Sequence, residues 1–474
     1  MKLTTALMVS GLSLNFTMAQ AGPAEEFQKL LDDHWAWTLS QSPTFATSVG
    51  VRDYDDRLGS LSLASMDKAR DARQEFLTRL HAIDQSGLNK EDRLNATLFE
   101  RDLELEITSA KFGQRAILFT TYYGWHMELA GLGDRLPFFT LADYQSYLKR
   151  LKDIPRYNNE GIETTLWGVE NGYLQPCAPL ENFASTISAH VVQDVDNSVF
   201  LKPFADKPST ITDEDWNQLQ EQAKTTVKNH VIPAYQKWLD AYQTSYAPKC
   251  RTEAGASAMP DGGEYYAHRI RVETTTNMSA DQIHNIGLGE VKRIRDEMQA
   301  VIEKAGFDGS FKDYQNYLRT NPEFYAKTAE ALLERSAYIS KKIDGELPKL
   351  FTKLPKMPYT VKPVPEDIAE GTTTAYYEAP AGDGSRAGVY RVNTSLLDQR
   401  PLFEMEALTL HEAVPGHHFQ IALQQELDLP NFRRFGGVTA FVEGWALYAE
   451  RLGLEVGFYK TPETDFGRLS YDCL

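Results

Sequence analysis

Cysteine is scarce in this chain, with three in 474 residues, and apolar runs long enough to cross a bilayer are missing after the first twenty residues. Basic clusters are missing too. The formal net charge is −17, and nothing along the chain offsets it locally. A surface this acidic repels phosphate backbones and anionic lipid, which argues against nucleic acid as a partner. Low-complexity tracts and internal repeats are absent, so neither a disordered linker protein nor a solenoid is indicated. What remains is the composition of a large globular protein, 42% hydrophobic and 24% charged.

The N-terminus reads as an export signal. Lys2 supplies a positive start, Leu3 to Phe16 is mostly apolar, and Ala19-Gln20-Ala21 has the small-x-small form of a cleavage site. Cleavage is expected after Ala21, with a periplasmic or secreted destination. No cysteine lies beside that site for lipid attachment. In an oxidising compartment Cys177 and Cys250, both in Pro-containing stretches, either form a disulfide or remain two thiols; the sequence does not decide between them.

The fold class expected is mostly α. Apolar residues recur at three- and four-residue spacing in Ala69–Ile83, Asp143–Leu151 and Asp213–Tyr242, with a kink predicted at Pro233. Residues 22–250 read as an N-terminal helical region. Residues 251–265 form a break rich in Gly, Ala and Pro, and 251–474 read as a C-terminal region. Helices are predicted over Ala280–Lys304, capped by Ser279, and over Phe311–Arg319 and Pro322–Ile343. Five prolines between 355 and 380 rule out a long helix there. Thr372–Glu378 and Gly388–Thr394 read as strands around the turn Ala381-Gly382-Asp383-Gly384, giving a small sheet or hairpin next to the active-site helix.

The chemistry concentrates near the C-terminus. Helical pattern resumes near Phe403 and runs into His411-Glu412-Ala413-Val414-Pro415-Gly416-His417-His418. Two neutral imidazoles bind a metal and an adjacent carboxylate activates water, usually with the His residues four apart on one helix face. Here His417 follows His411 by six, a displacement of about 120° on an ideal helix. Pro415 cannot continue a regular helix and Gly416 permits unusual backbone angles, so a bulge is expected to return His417 to the metal side. His418 is the rival ligand. It shares a face with His411, but about 10 Å further along the axis. It is otherwise a residue near the metal or facing substrate.

Glu443 opens a second helical stretch and is the expected third ligand, on a side packed through Val442, Trp445, Ala446 and Ala449. Glu450 either orients a His or is solvated. The metal expected is Zn2+, held by His411, His417 and Glu443, with Glu412 as general base and then general acid in peptide hydrolysis. Tyr376, Tyr377, Tyr390 and Arg391 are candidate donors to an oxyanion. Tyr377, Arg386, Tyr390, Asn393 and His418 are candidate substrate-binding residues. An extended oligopeptide is expected to add to the Gly388–Thr394 strand.

These motifs resemble the bacterial family known as domain of unknown function 885. The blocks are HEAVPGHHFQ (411–420), EGWALYAERL (443–452) and DGSRAGVYRVNT (383–394), supported by residues 259–291. The resemblance spans most of the mature chain. It implies a grouping with zinc peptidases of the two-His, one-Glu type, a mostly helical fold with a deep cleft, and peptide hydrolysis. Members of the family normally continue past the position of Leu474 with a further helical segment, so the C-terminal part is expected to be missing here. Two other readings stay open: a catalytically inactive metal- or peptide-binding exported protein, and a metal hydrolase acting on a non-peptide bond.

Overall fold

The computed structural model describes residues 22–121 and 123–473, so the signal sequence and its cleavage after Ala21 lie outside the described residues. The described chain is mostly helical with one three-stranded sheet. Among the described residues no helix is long and apolar enough to cross a membrane.

Three helices open the structure: α1 (Pro23–Gln41), α2 (Leu63–Ala82) and α3 (Lys90–Ser109). They bury Phe27, Leu30, Phe76, Leu80, Ala96 and Phe99 against one another. The Asn89 side chain accepts from the backbone N–H groups of Glu91 and Asp92, fixing where α3 begins. Helix α4 (Leu141–Glu170) is set by a reciprocal cap between Thr140 and Asp143. It packs into an aromatic core containing Tyr144, Tyr147, Trp216, Tyr235 and Trp238.

The predicted 213–242 helix breaks where Pro233 requires. Helix α5 (Asp213–Thr226) gives way to a π-helical turn at Val227–Val231, and α6 (Ile232–Ala241) starts with Pro233 in its first turn. The wider turn accommodates the proline ring, which would otherwise crowd the carbonyl four residues earlier. Cys177 and Cys250 are joined in a disulfide across 73 positions.

In the second half, α7 (Ala280–Lys304) carries the expected cap: the Ser279 side chain and Gln282 satisfy each other's backbone N–H groups. The helix predicted from Pro322 begins only at Ala329, because Pro322–Phe324 forms a single 3-10 turn and Thr328 is the residue that caps. The sheet has strand order β1-β3-β2, from β1 (Tyr359–Pro363), β2 (Ala375–Glu378) and β3 (Gly388–Val392). Strands β2 and β3 form the expected antiparallel pair, with Tyr377 opposite Tyr390. Strand β1, not expected from its proline-flanked sequence, pairs parallel with β3. Every residue of β3 is buried.

Four further helices complete the site region: α8 (Met405–Glu412), α9 (His417–Gln425), α10 (Thr439–Glu455) and α11 (Pro462–Asp472). Their apolar faces close a core of Tyr390, Val392, Met405, Leu408, Leu410 and Phe419.

Glu404, at the entry to α8, is pushed up by burial from an ordinary 4.5 to about 7. Its folded pKa therefore exceeds its unfolded one. The folded state binds the extra proton between those values, and stability falls as pH rises through that window. Glu404→Gln is expected to raise stability at pH 8 by about 1–2 kcal/mol, allowing for partial exposure, and to change little at pH 5. Urea midpoints at the two pH values check this; an equal shift at both would sink it.

Candidate metal centre

The expected bulge is a complete break. Helix α8 ends at Glu412, residues 413–416 form a loop, and α9 starts at His417. Pro415 cannot donate to the helix ladder, and a Cβ on Gly416 would collide with the carbonyl oxygen of His411, so only glycine fits there. The loop is held from α10, whose Trp445 Nε1 donates to Pro415 O at 2.7 Å.

This break lets two imidazoles face one carboxylate. His411 Nε2 and His417 Nε2 each lie 3.5 Å from Glu443 Oε2. One donor atom from each of the three residues falls within 4.8 Å of the others. Four ligands about 2.0–2.1 Å from a tetrahedral zinc are separated by roughly 3.3 Å, so the two 3.5 Å spacings match the edges of such a site. The donor set, two imidazoles and one carboxylate, is one that catalytic zinc takes while keeping a position open. The residues present therefore fit the metal.

Glu450 is buried at 2% exposure, and its Oε1 lies 2.7 Å from His411 Nδ1. A carboxylate there accepts the Nδ1 proton, so Nε2, on the Glu443 side, is the nitrogen a metal would take in exchange for its proton. Tyr459 Oη donates to the Glu450 backbone carbonyl at 2.7 Å, closing that end of the site. Burial opposes charge on His411, yet the hydrogen bonds to Glu443 and Glu450 outweigh it and lift its pKa to about 10. Glu450 itself is raised, because burial outweighs its bond to His411, whereas the half-open Glu443 is lowered chiefly by its bond to His411. Glu412 is buried, which pushes it up to about 7. Three carboxyl groups around two imidazoles give a pocket whose balance favours a cation.

Glu450→Gln keeps the size of the side chain but weakens its grip on the His411 proton. It is expected to lower zinc affinity about 10- to 100-fold. Competition with a chromogenic chelator measures this, and unchanged affinity would remove Glu450 from the site.

Several sequence expectations are corrected. Glu443 is not on a packed side; its side chain is 52% exposed. It shares a face with Glu450 but sits two turns earlier, beyond the part of α10 covered by α8, where Ala446 and Ala449 are buried. His418 lies outside the group of His411, His417 and Glu443, and both of its ring nitrogens have partners elsewhere. Its Nδ1 lies 2.8 Å from Tyr377 Oη and its Nε2 3.0 Å from Met357 O, so the ring is fixed to the sheet. The carbonyl can only accept, which places the proton on Nε2 and makes Tyr377 the donor to Nδ1. Tyr377 is thereby committed as well.

Tyr390 is fully buried beside Thr409, and Asn393 is fully buried with its amide donating to Ala369 O and Thr373 O. Both shape the core and its loop. Arg391 pairs with Glu378 at 3.1 Å. Strand β3 is paired on both sides, so no peptide can add to it. Arg386 remains beside open space, lining two cavities. Trp445, which the sequence marked only as packing, and Tyr459, which carried no signal beyond its aromatic character, brace the centre.

The family described as bacterial protein of unknown function, DUF885, matches residues 43–474. The chain belongs to the DUF885 family. This DUF885 chain is similar in structure to a candidate lipoprotein from Colwellia psychrerythraea, with TM-score 0.86, 24% identity, and coverage of 95% of this chain and 81% of that one. It is also similar to a candidate lipoprotein of unknown function from Shewanella oneidensis, with TM-score 0.58, 18% identity, and coverage of 96% and 81%. Both likenesses concern the fold. Comparison with curated proteins gives no match.

Proposed function

We propose that this DUF885 chain is an exported zinc-dependent peptidase acting on oligopeptides. The observation that carries the reading is the convergence of His411, His417 and Glu443 donor atoms beside the buried carboxyl of Glu412. Export is supported by the N-terminal Lys2–Ala21 pattern and by the likeness to candidate lipoproteins.

In this reading His411, His417 and Glu443 hold zinc, which when bound polarises a carbonyl oxygen and makes a nearby water more acidic. Glu412 accepts the proton from that water and hands it to the departing amine. Glu450 holds the His411 ring in the tautomer that ligation needs. The cavities between the N-terminal helices and α9–α10 support a substrate cleft in this reading, one that would favour short or unfolded chains over folded proteins.

The purified mature chain is expected to bind about one zinc, as a single three-ligand catalytic site implies. It is expected to cleave a mixed oligopeptide library, to lose cleavage to a chelator, and to regain it with zinc. Metal retention with no cleavage would replace this reading by that of an inactive binding protein. Metal-dependent turnover of non-peptide substrates alone would make it a different hydrolase.

A further inference from the structure

Two cavities meet at one pair of guanidinium groups. The first, of about 260 Å3, is walled by Trp125, Glu128 and Tyr157. The second, of about 440 Å3, is walled by Ser48, Arg434, Ile421 and Val442. Arg135, from the short helix Leu132–Arg135, and Arg386, from the β2–β3 turn, line both. Ile421 follows His417 by one turn on the same face of α9, and Val442 precedes Glu443 on α10, so the second cavity borders the helices that carry the metal ligands.

Carboxylates at this junction are already committed. Glu128 pairs with Arg135 at 2.8 Å, and Glu378 pairs with Arg391 at 3.1 Å while lying 4.0 Å from Arg386. Arg434 directs Nε and Nη2 to Gln425 O. Arg386 donates Nη2 to Ala379 O at 2.8 Å, but its Nε is buried without a hydrogen-bond partner. Burial chiefly, and the charges of Arg135 and Arg391 besides, disfavour its charged form against the pull of Glu378 and Tyr377. A chain with net charge −17 thus gathers Arg135, Arg386 and Arg434 around one cavity, with Glu378 the carboxylate lining it. An anion in the space that Arg135 and Arg386 both line relieves the repulsion between them.

We propose that Arg386, with Arg135 lining the same cavities, forms a subsite for a carboxylate of the oligopeptide substrate. This rests on the peptidase reading above. A carboxylate suits the planar guanidinium fork, which gives it two parallel hydrogen bonds. Two sources supply such a group: the free C-terminus of the peptide, and an Asp or Glu side chain.

The test uses equilibrium retention and needs no turnover. Zinc-loaded Glu412→Gln protein, full chain, is equilibrated with a pool of tetrapeptides, each present as free acid and as C-terminal amide, and the bound fraction is read by mass spectrometry. Free acids are expected to be enriched about tenfold over amides, the worth of one charge-assisted hydrogen-bond pair. Enrichment confined instead to amides ending in Glu over those ending in Gln assigns the site to a side-chain carboxylate. In Arg386→Gln and, separately, Arg135→Gln backgrounds the enrichment is expected to collapse toward unity. The second variant guards against loss of the β2–β3 turn, since Arg135 lies on a different element, the helix Leu132–Arg135. Equal retention of all forms, or a preference that survives both substitutions, overturns the subsite. Hydrolysis by the unsubstituted chain is scored separately. Cleavage without carboxylate preference overturns the subsite and leaves the peptidase reading standing, whereas carboxylate preference without cleavage does the reverse.

Discussion

Glu412→Gln is expected to lower kcat on oligopeptides about 100- to 10,000-fold while zinc content stays at the unsubstituted level. The amide nearly matches the carboxylate in size, so the buried position at the end of α8 stays filled. It cannot take a proton, so the step assigned to Glu412 loses its acceptor and, later, its donor. Glu412 supplies no donor atom to the three-residue group of His411, His417 and Glu443, which is why metal binding is expected to survive. Metal analysis and kcat on the same preparation make the check. Activity within tenfold of the unsubstituted chain would assign the proton transfer elsewhere, and loss of zinc would make Glu412 part of the metal's support.

Removing the Cys177–Cys250 disulfide is expected to cost about 4 kcal/mol of stability. The bridge spans 73 positions, and in the chain-entropy account a closed loop of that size restricts the unfolded ensemble by roughly this amount. The folded state has other ties at the same junction. Cys177 N donates to Arg251 O, Arg251 N donates to Gln175 O, and Arg251 Nε donates to Leu174 O at 2.6 Å. The loss is therefore expected to act through the unfolded chain with the local structure retained. A Cys177→Ser/Cys250→Ser chain should show a lower urea midpoint with near-native circular dichroism. A change under about 1 kcal/mol would contradict the loop-entropy argument.

Local chemistry was readable in the sequence, and distant pairing was not. Ser279 marked a helix start because capping is decided within four residues, and the structure pairs it with Gln282. His411, Glu412, His417 and Glu443 stood out because the residue types and the Pro-Gly insertion between the histidines constrain the chemistry. His418 was misleading because its partners, Tyr377 and Met357, lie 41 and 61 positions away. Strand β1 was missed because it is short and bounded by prolines, and its parallel pairing with β3 is invisible to local pattern. That pairing also makes β3 central, which turns Tyr390 and Asn393 from candidate surface groups into core.

If the site takes zinc as proposed, the exposure of Glu443 sets how the ion would arrive. Both imidazoles are anchored on buried backbone, one of them further clamped by Glu450, and neither can swing away without opening the interior. Glu443, in the first turn of α10, is the most exposed of the three side chains. Loading and chelator extraction should then proceed by way of this carboxylate, and the speed of exchange should follow the fraying of that turn and be nearly independent of global unfolding.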